Sequence, residues 1–370
     1  MIKSKITISI IILSAAIIFG SWGDKGHSMI SFRMNLSFNE EMSVFNNWIF
    51  YLSEHASDAD WRKKDDPEEG PKHYIDIDNY EVFAEEGAIP HSLDVCIEDY
   101  GAQFVDDNGY LPWATLAMYD SVVNCLERED WTSAKKYAAD LGHYVADGHM
   151  PMHLTRNYDG QFTGNKGIHA RYEIYMIERY HDQVNYQGTP AEEISDVTSY
   201  VFDYIYRNYT YMDSILIADD YATEMAEGNE SDLYYAALWE RTENMTIAMF
   251  SEASHALAEL LYTAWIEAGK PGEETTDAVE SRIDPGFELS VRPNPVTSRA
   301  MISYTNPAHG DLLLTIYDHA GRKTWEKKSS QAQPGHNSIP WNPGDTGNGA
   351  YYLVLQSGRQ SEVTPFLVIQ

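Results

Sequence analysis

The stretch LGHYVADGHMPMH, Leu141 to His153, holds three histidines and an aspartate. WTSAKKYAADLGHYVAD, Trp131 to Asp147, repeats apolar residues at helical spacing and is predicted to be a helix. On that helix His143 and Asp147 are four apart, so they share one face about 6 Å apart, within reach of one ion. Pro151 forces the chain out of the helix, because its ring clashes with the preceding turn and its N–H is missing. His153 then approaches the same place from a new direction.

The same helical period runs outward on both sides. EEMSVFNNWIFYLSEH (40–55), LPWATLAMYDSVVNCLE (111–127) and AEEISDVTSYVFDYIYRNY (191–209) carry it. Residues 230–268 contain neither Pro nor Gly, which permits one long helix or two abutting ones. Pro112 sits near a helix start, where a missing N–H does no harm. Two long polar loops interrupt the pattern, WRKKDDPEEGPKHYIDID (61–78) and RNYDGQFTGNKG (156–167). Long loops in a helical bundle are where function concentrates.

GKPGEETTDAVESRIDPG (269–286) is a linker by composition. Beyond it the period becomes two. AMISYT, DLLLTIYD and AYYLVLQSG alternate between Gly, Pro and Asn turns, which predicts a small Ig-like β-sandwich over 287–370. The fold class is therefore mainly α, a helical domain (22–268) followed by that sandwich. No internal repeat is present.

Net charge is −31. From Asp284 onward seven acidic side chains balance seven basic ones, so the whole excess lies in the helical part. A field this negative repels polyanions unless local cations reverse it.

Lys3 and Lys5 precede the apolar run Ile6 to Ile18, and FGS leads to Trp22. This reads as an export signal over 1–21, although Phe19 is bulky for the cleavage site. The apolar core is too short to span a bilayer, and no later run is long and apolar enough. Cys96 and Cys125 could form one disulfide in an exported protein, but sequence does not pair them, and they lack metal-motif spacing.

Further donors surround the opening stretch. In GIHARYEIY, His169 and Glu173 form a second i, i+4 pair. GPKHYIDID offers His73, SDADW offers Asp58 and Asp60, and SWGDKGH puts His27 five residues after Trp22. One His–Asp pair is weak, because core histidines are common. Two pairs, a third histidine and a His–Asp loop are harder to dismiss. Imidazole with carboxylate suits Zn²⁺ and its first-row neighbours, and the inventory is too large for one tetrahedral ion.

These residues resemble the zinc-dependent phospholipase C and P1/S1 nuclease superfamily over Trp22 to about Ala268. Members begin, after signal removal, with a tryptophan whose amine and carbonyl bind zinc. A histidine, an Asp…His pair, H-x3-D-x5-H and H-x3-E/D follow. Here these positions are Trp22, His27, Asp60, His73, His143, Asp147, His153, His169 and Glu173. The resemblance implies three zinc ions. Trp22 and His27 would hold one, with Asp147 bridging. Asp60, His73 and His143 would hold the second and share Asp147. His153, His169 and Glu173 would hold the third. Asp60 is favoured over Asp58 because the family's ligand also ends an "AD" pair, and His149 matches no ligand.

Clustered zinc ions acidify water and neutralise phosphoryl oxygens, so the resemblance implies phosphodiester hydrolysis. Asp147 and Asp60 are the candidate catalytic carboxylates, with Asp60 placed to accept the water proton. Arg62 and Lys63 are near enough in sequence to help hold phosphate, or are solvated loop charges. HARYE, HYIDID and YGAQFVDDNGYLPW look like the phospholipase branch. The five-residue Trp–His spacing looks like the nuclease branch. Phospholipid is therefore the expected substrate, and the alternative is a single-strand nuclease or 3′-nucleotidase. A non-catalytic metal-binding surface protein is the third reading. In the C-terminal part, VRPNPVTSRAMISY, IYDHAG and GAYYLVLQSG resemble the sorting domains of type IX secretion. That implies the type IX secretion machinery as partner and release outside the cell or tethering to its surface. His309, His319 and His336 sit near turns there as surface histidines.

Overall fold

The computed structural model describes residues 23–186, 188–272, 289–306, 310–318, 323–332, 335–344, 346–357 and 360–369. The expected signal segment, Trp22 and most of the expected linker lie outside them. Helices fill the chain up to Glu267, and strands begin at Leu289. The first helices are α1 (Gly23–Arg33), α2 (Ile49–Glu54), α3 (Asp58–Arg62), α4 (Glu81–Glu86), α5 (Leu93–Tyr100) and α6 (Ala102–Asn108). The central ones are α7 (Leu111–Glu127), α8 (Trp131–Gly148), α9 (Ile168–Ala170) and α10 (Ile177–Tyr180). The last are α11 (Val197–Tyr209), α12 (Met212–Ala226) and α13 (Asp232–Glu267).

Local chemistry sets the bounds of these helices. The Asp130 side chain accepts the Ser133 N–H at 3.1 Å and starts α8. Pro151 prevents its continuation and opens a 3₁₀ turn, Pro151–His153. Ser231 caps α13 in the same way, and that helix runs unbroken for 36 residues, about 54 Å.

Two segments expected to be helical throughout are not. Residues 40–55 split into a 3₁₀ turn, Glu40–Phe45, and α2, with Asn46 and Asn47 at the break. Asparagine competes for backbone hydrogen bonds and disfavours helix interiors. In 191–209 the helix starts only at Val197, because Asp196 takes the cap position and accepts the Ser199 N–H at 3.0 Å.

The bundle buries two apolar clusters. One joins α2, α7, α8 and α13 through Trp48, Leu52, Val122, Leu126, Leu141, Tyr144, Leu257 and Leu261. The other lies beneath the histidine-rich turn and contains Met29, Met150, Met152, Tyr172, Met176 and Phe250. Methionine fills such irregular gaps well. Each large buried apolar side chain contributes on the order of 1.5–3 kcal/mol. Cys96 and Cys125 are buried free thiols. Among the described residues no helix is long and apolar enough to cross a membrane.

The C-terminal unit has two antiparallel sheets. One runs β1 (Leu289–Arg292), β2 (Ala300–Asn306), β5 (Gly335–Trp341). The other runs in the order β4 (Lys323–Ala332), β3 (Gly310–Asp318), β6 (Gly349–Ser357), β7 (Gln360–Val368). Ile302, Leu314, Ile316, Leu353, Leu355 and Val368 form their shared core. This unit meets the bundle through rings, Phe32 against Tyr352 at 5.4 Å and Phe50 against Tyr317 at 4.9 Å. Arg33 is buried nearby. Burial pulls its guanidinium down to about 10, against the favourable charges of Asp318 and Asp182.

Candidate metal centre

Seven helices or turns bring the expected donors to one buried place. His27 comes from α1, Asp60 from α3, His143 and Asp147 from α8. His73 ends the 3₁₀ turn Gly70–His73, and His153 ends the turn that Pro151 opens. His169 lies in α9, and Glu173 in the π-helical turn Arg171–Met176 that follows it. The second i, i+4 pair was expected on an α-helix. The wider turn still leaves His169 Nε2 only 2.6 Å from Glu173 Oε2. Trp22 lies outside the described residues.

The donors fall into three groups, His27 with Asp60 and His143, His73 with His143 and Asp147, and His153 with His169 and Glu173. Within each group the candidate atoms lie within 4.8 Å of one another. Asp147 stands at the centre. Its Oδ2 faces His73 Nδ1 at 3.0 Å and His143 Nε2 at 3.3 Å. Its Oδ1 faces His27 Nε2 at 3.5 Å and His153 Nδ1 at 3.7 Å. Asp60 Oδ1 lies 3.6 Å from His73 Nδ1 and 3.7 Å from His143 Nε2.

The residues fit a set of cations. Asp147 Oδ1 and Glu173 Oε1 are buried with no hydrogen-bond donor. A buried carboxylate oxygen is costly unless a proton donor or cation meets it. His27 and His143 stack with centroids 4.0 Å apart and planes 8° apart. Two stacked imidazoles cannot both be protonated at low cost, and their titration divides accordingly. Burial and the neighbouring His143 charge push His27 down to about 3. Burial also works against protonated His143, but Asp147 and Asp60 outweigh it and lift that ring to about 9. Burial would raise Asp147, yet His143 and His153 hold it well below the usual carboxylate range. Neutral imidazoles and ionised carboxylates are the forms that bind metal, so His27 and Asp147 already stand in that form and His143 would give up its proton to an ion.

Several neighbours stay outside the groups. Asp58 turns outward, half-exposed, and its Oδ2 meets His55 Nδ1 at 2.7 Å. His149 is fully buried, bonds the Val145 carbonyl through Nδ1 at 2.7 Å and stacks on Tyr204. Arg62 pairs with Asp140 at 2.9 Å and Glu69 at 3.2 Å. Lys63 Nζ reaches Asp60 Oδ1 at 2.5 Å. Neither Arg62 nor Lys63 is a free loop charge. Glu69 was not expected from sequence. It touches His73, and the signal was there, since Glu69 and His73 are also i, i+4.

Residues 290–370 match the profile of the secretion system C-terminal sorting domain. The chain therefore carries such a sorting domain after its helical unit, and that domain marks it for export to the cell surface or beyond. No curated protein matches the chain significantly. Among solved structures, the alpha toxin from Clostridium absonum is similar over 94% of this chain and 98% of its own, at 12% identity and a TM-score of 0.43. The alpha-toxin of Clostridium perfringens from an avian strain is similar over 94% and 92%, at 11% identity and a TM-score of 0.41. Likeness at this level carries no argument about activity, which must rest on the residues.

Proposed function

We propose that this chain is an exported, zinc-dependent phosphoric diester hydrolase that cleaves phospholipid headgroups. The observation that carries the reading is Asp147, a buried carboxylate whose two oxygens face two different pairs of histidines. That is the arrangement a carboxylate needs to bridge two ions. His27 with Trp22, Asp60 with His73 and His143, and His153 with His169 and Glu173 would hold three zinc ions around it. Bound there, zinc supplies Lewis acidity, which acidifies water and neutralises a phosphoryl group.

The chain's own residues do the rest. Asp60 is kept ionised: burial pushes its carboxyl up, and the His143 and Lys63 charges outweigh that. In that form it would accept a hydrogen bond from attacking water and take up its proton. Backbone carbonyls fix three rings. His143 Nδ1 donates to Ala56 O at 2.6 Å, His153 Nδ1 to His73 O at 2.6 Å, and His169 Nδ1 to Tyr158 O at 3.0 Å. Each leaves Nε2 directed inward.

Two features favour lipid over a long polyanion. The net charge is −31, and the last ligand position is Glu173 preceded by Tyr172. Tyr172 itself is buried, with its hydroxyl bonded to Thr246 Oγ1 at 2.7 Å. A second reading has its own observation. Trp61 and Tyr158 adjoin the donors in sequence or space and are 58% and 41% exposed, so they could stack nucleobases. The discriminating experiment offers zinc-loaded mature protein a choline phospholipid and, separately, single-stranded DNA. Phosphorylcholine release without DNA cleavage supports the proposal, and the reverse result selects the nuclease. A purely structural metal site would give neither, although structural zinc sites are usually closed four-ligand sets richer in cysteine.

A further inference from the structure

The histidines of the nest are not held alike. In His143, His153 and His169 it is Nδ1 that meets a backbone carbonyl, although in His153 that nitrogen also lies 3.7 Å from Asp147 Oδ1. His73 is reversed. Its Nδ1 points inward, 3.0 Å from Asp147 Oδ2 and 2.9 Å from His143 Nε2. Its Nε2 points outward, buried, and lies 3.4 Å from Glu69 Oε1 without the alignment of a hydrogen bond.

We propose that Glu69 is a positioning residue for this centre: its carboxylate takes the Nε2–H of His73 and so presents Nδ1 to a zinc ion. This rests on the zinc reading given above. A histidine that gives one nitrogen to a metal carries its proton on the other. An acceptor there fixes the tautomer and ring angle and raises the basicity of the ligating nitrogen. A carboxylate does this more strongly than a carbonyl.

Glu69 is built to stay in place. It is 2% exposed, and buried carboxylates persist only when paired. Lys72 Nζ meets its Oε2 at 3.0 Å, and Arg62 Nη2 meets its Oε1 at 3.2 Å. The Tyr144 hydroxyl donates to Oε1 at 2.5 Å from α8, the helix that also carries His143 and Asp147. Arg62 is itself anchored on Asp140. The network therefore links the loop that bears His73 to the helix that bears the bridging carboxylate.

Unlike the backbone carbonyls behind the other rings, this acceptor can be changed by mutation. The test is Glu69→Gln, read by zinc content and by competition with a chelator. The expected result is that one zinc ion is held about 10- to 100-fold more weakly while the others keep their affinity. Metal-free melting temperature is measured in parallel, since a merely structural role would lower it and leave zinc affinity intact. Wild-type zinc affinity in Glu69→Gln overturns the positioning role alone. A wild-type chain that binds no zinc overturns this role together with the zinc reading. Should Glu69→Gln not fold, Tyr144→Phe removes one tether and keeps the charge. It is expected to weaken the same zinc ion, and unchanged affinity there overturns the proposal equally.

Discussion

His27 Nε2 stands 3.5 Å from Asp147 Oδ1, so the first turns of α1 reach the centre of the donor nest. The start of that helix is close by as well. A Cβ placed on Gly23 would lie 3.5 Å from Ile174 Cγ1, beside Glu173. An α-amine on the preceding residue, Trp22, would have a pKa near ~8, low enough to give up its proton to zinc. In an uncut chain that nitrogen is an amide and not a ligand. The chain retaining residues 1–21 is predicted to bind one zinc ion fewer than the chain beginning at Trp22. Metal counting on the two forms checks this, and equal stoichiometry would remove Trp22 from the site.

His149 is predicted to matter for stability and not for metal. Its ring is fully buried, stacked 4.4 Å from Tyr204 and bonded to the Val145 carbonyl. His149→Ala should cost about 2–4 kcal/mol, the range for emptying a large buried site. Zinc content should match wild type. Loss of a zinc ion from a folded variant would mean that the ring is not a bystander.

Asp76 gives a stability signature against pH. Burial, with the Asp78 charge next, raises its carboxyl to about 7 from an ordinary 3.8. The native state then binds more protons than the unfolded chain between those values. Its contribution to stability is full below pH 3.8 and is lost as pH rises through 7. Asp76→Asn should therefore raise the melting temperature relative to wild type at pH 8, and the gain should shrink toward pH 4. A gain independent of pH would show that proton binding at Asp76 is not its source.

Gly109 holds the loop that delivers His73. It has φ +86°, and a Cβ there would fall 2.2 Å from the Tyr74 carbonyl oxygen. Gly109→Ala is predicted to cost more than about 2 kcal/mol through strain and displaced packing. It should also weaken zinc binding, because Tyr74 adjoins His73. Calorimetry and zinc titration on one preparation read both effects.

Much of the centre was legible because its pairs obey local geometry. His143 with Asp147 and His169 with Glu173 stand one turn apart, and Pro151 redirects the chain just before His153. Glu69 and His73 have the same spacing, yet Gly70 and Pro71 between them hide it, since neither belongs in a helix interior. The 3₁₀ turn Gly70–His73 restores the contact by tighter winding. The buried pair of Arg171 with Asp219, 2.9 Å apart, joins α12 to the π-helical turn Arg171–Met176 and could not be read from spacing. The ring contacts of Phe32 with Tyr352 and Phe50 with Tyr317 span the two units and likewise exist only in the folded chain. The Asn46–Asn47 break and the Asp196 cap were visible as residues, but apolar periodicity ran past both.

A three-zinc centre that hydrolyses phosphodiesters has two joint signatures, stoichiometry and metal-dependent turnover. The most direct measurement is the zinc content of the purified mature chain, taken beside its hydrolysis of a choline phospholipid before and after chelation. The expected result is three zinc ions per chain, and activity that chelator abolishes and zinc restores while the helical circular dichroism persists. One zinc ion or none at saturating zinc, or hydrolysis unchanged by chelation, would contradict it.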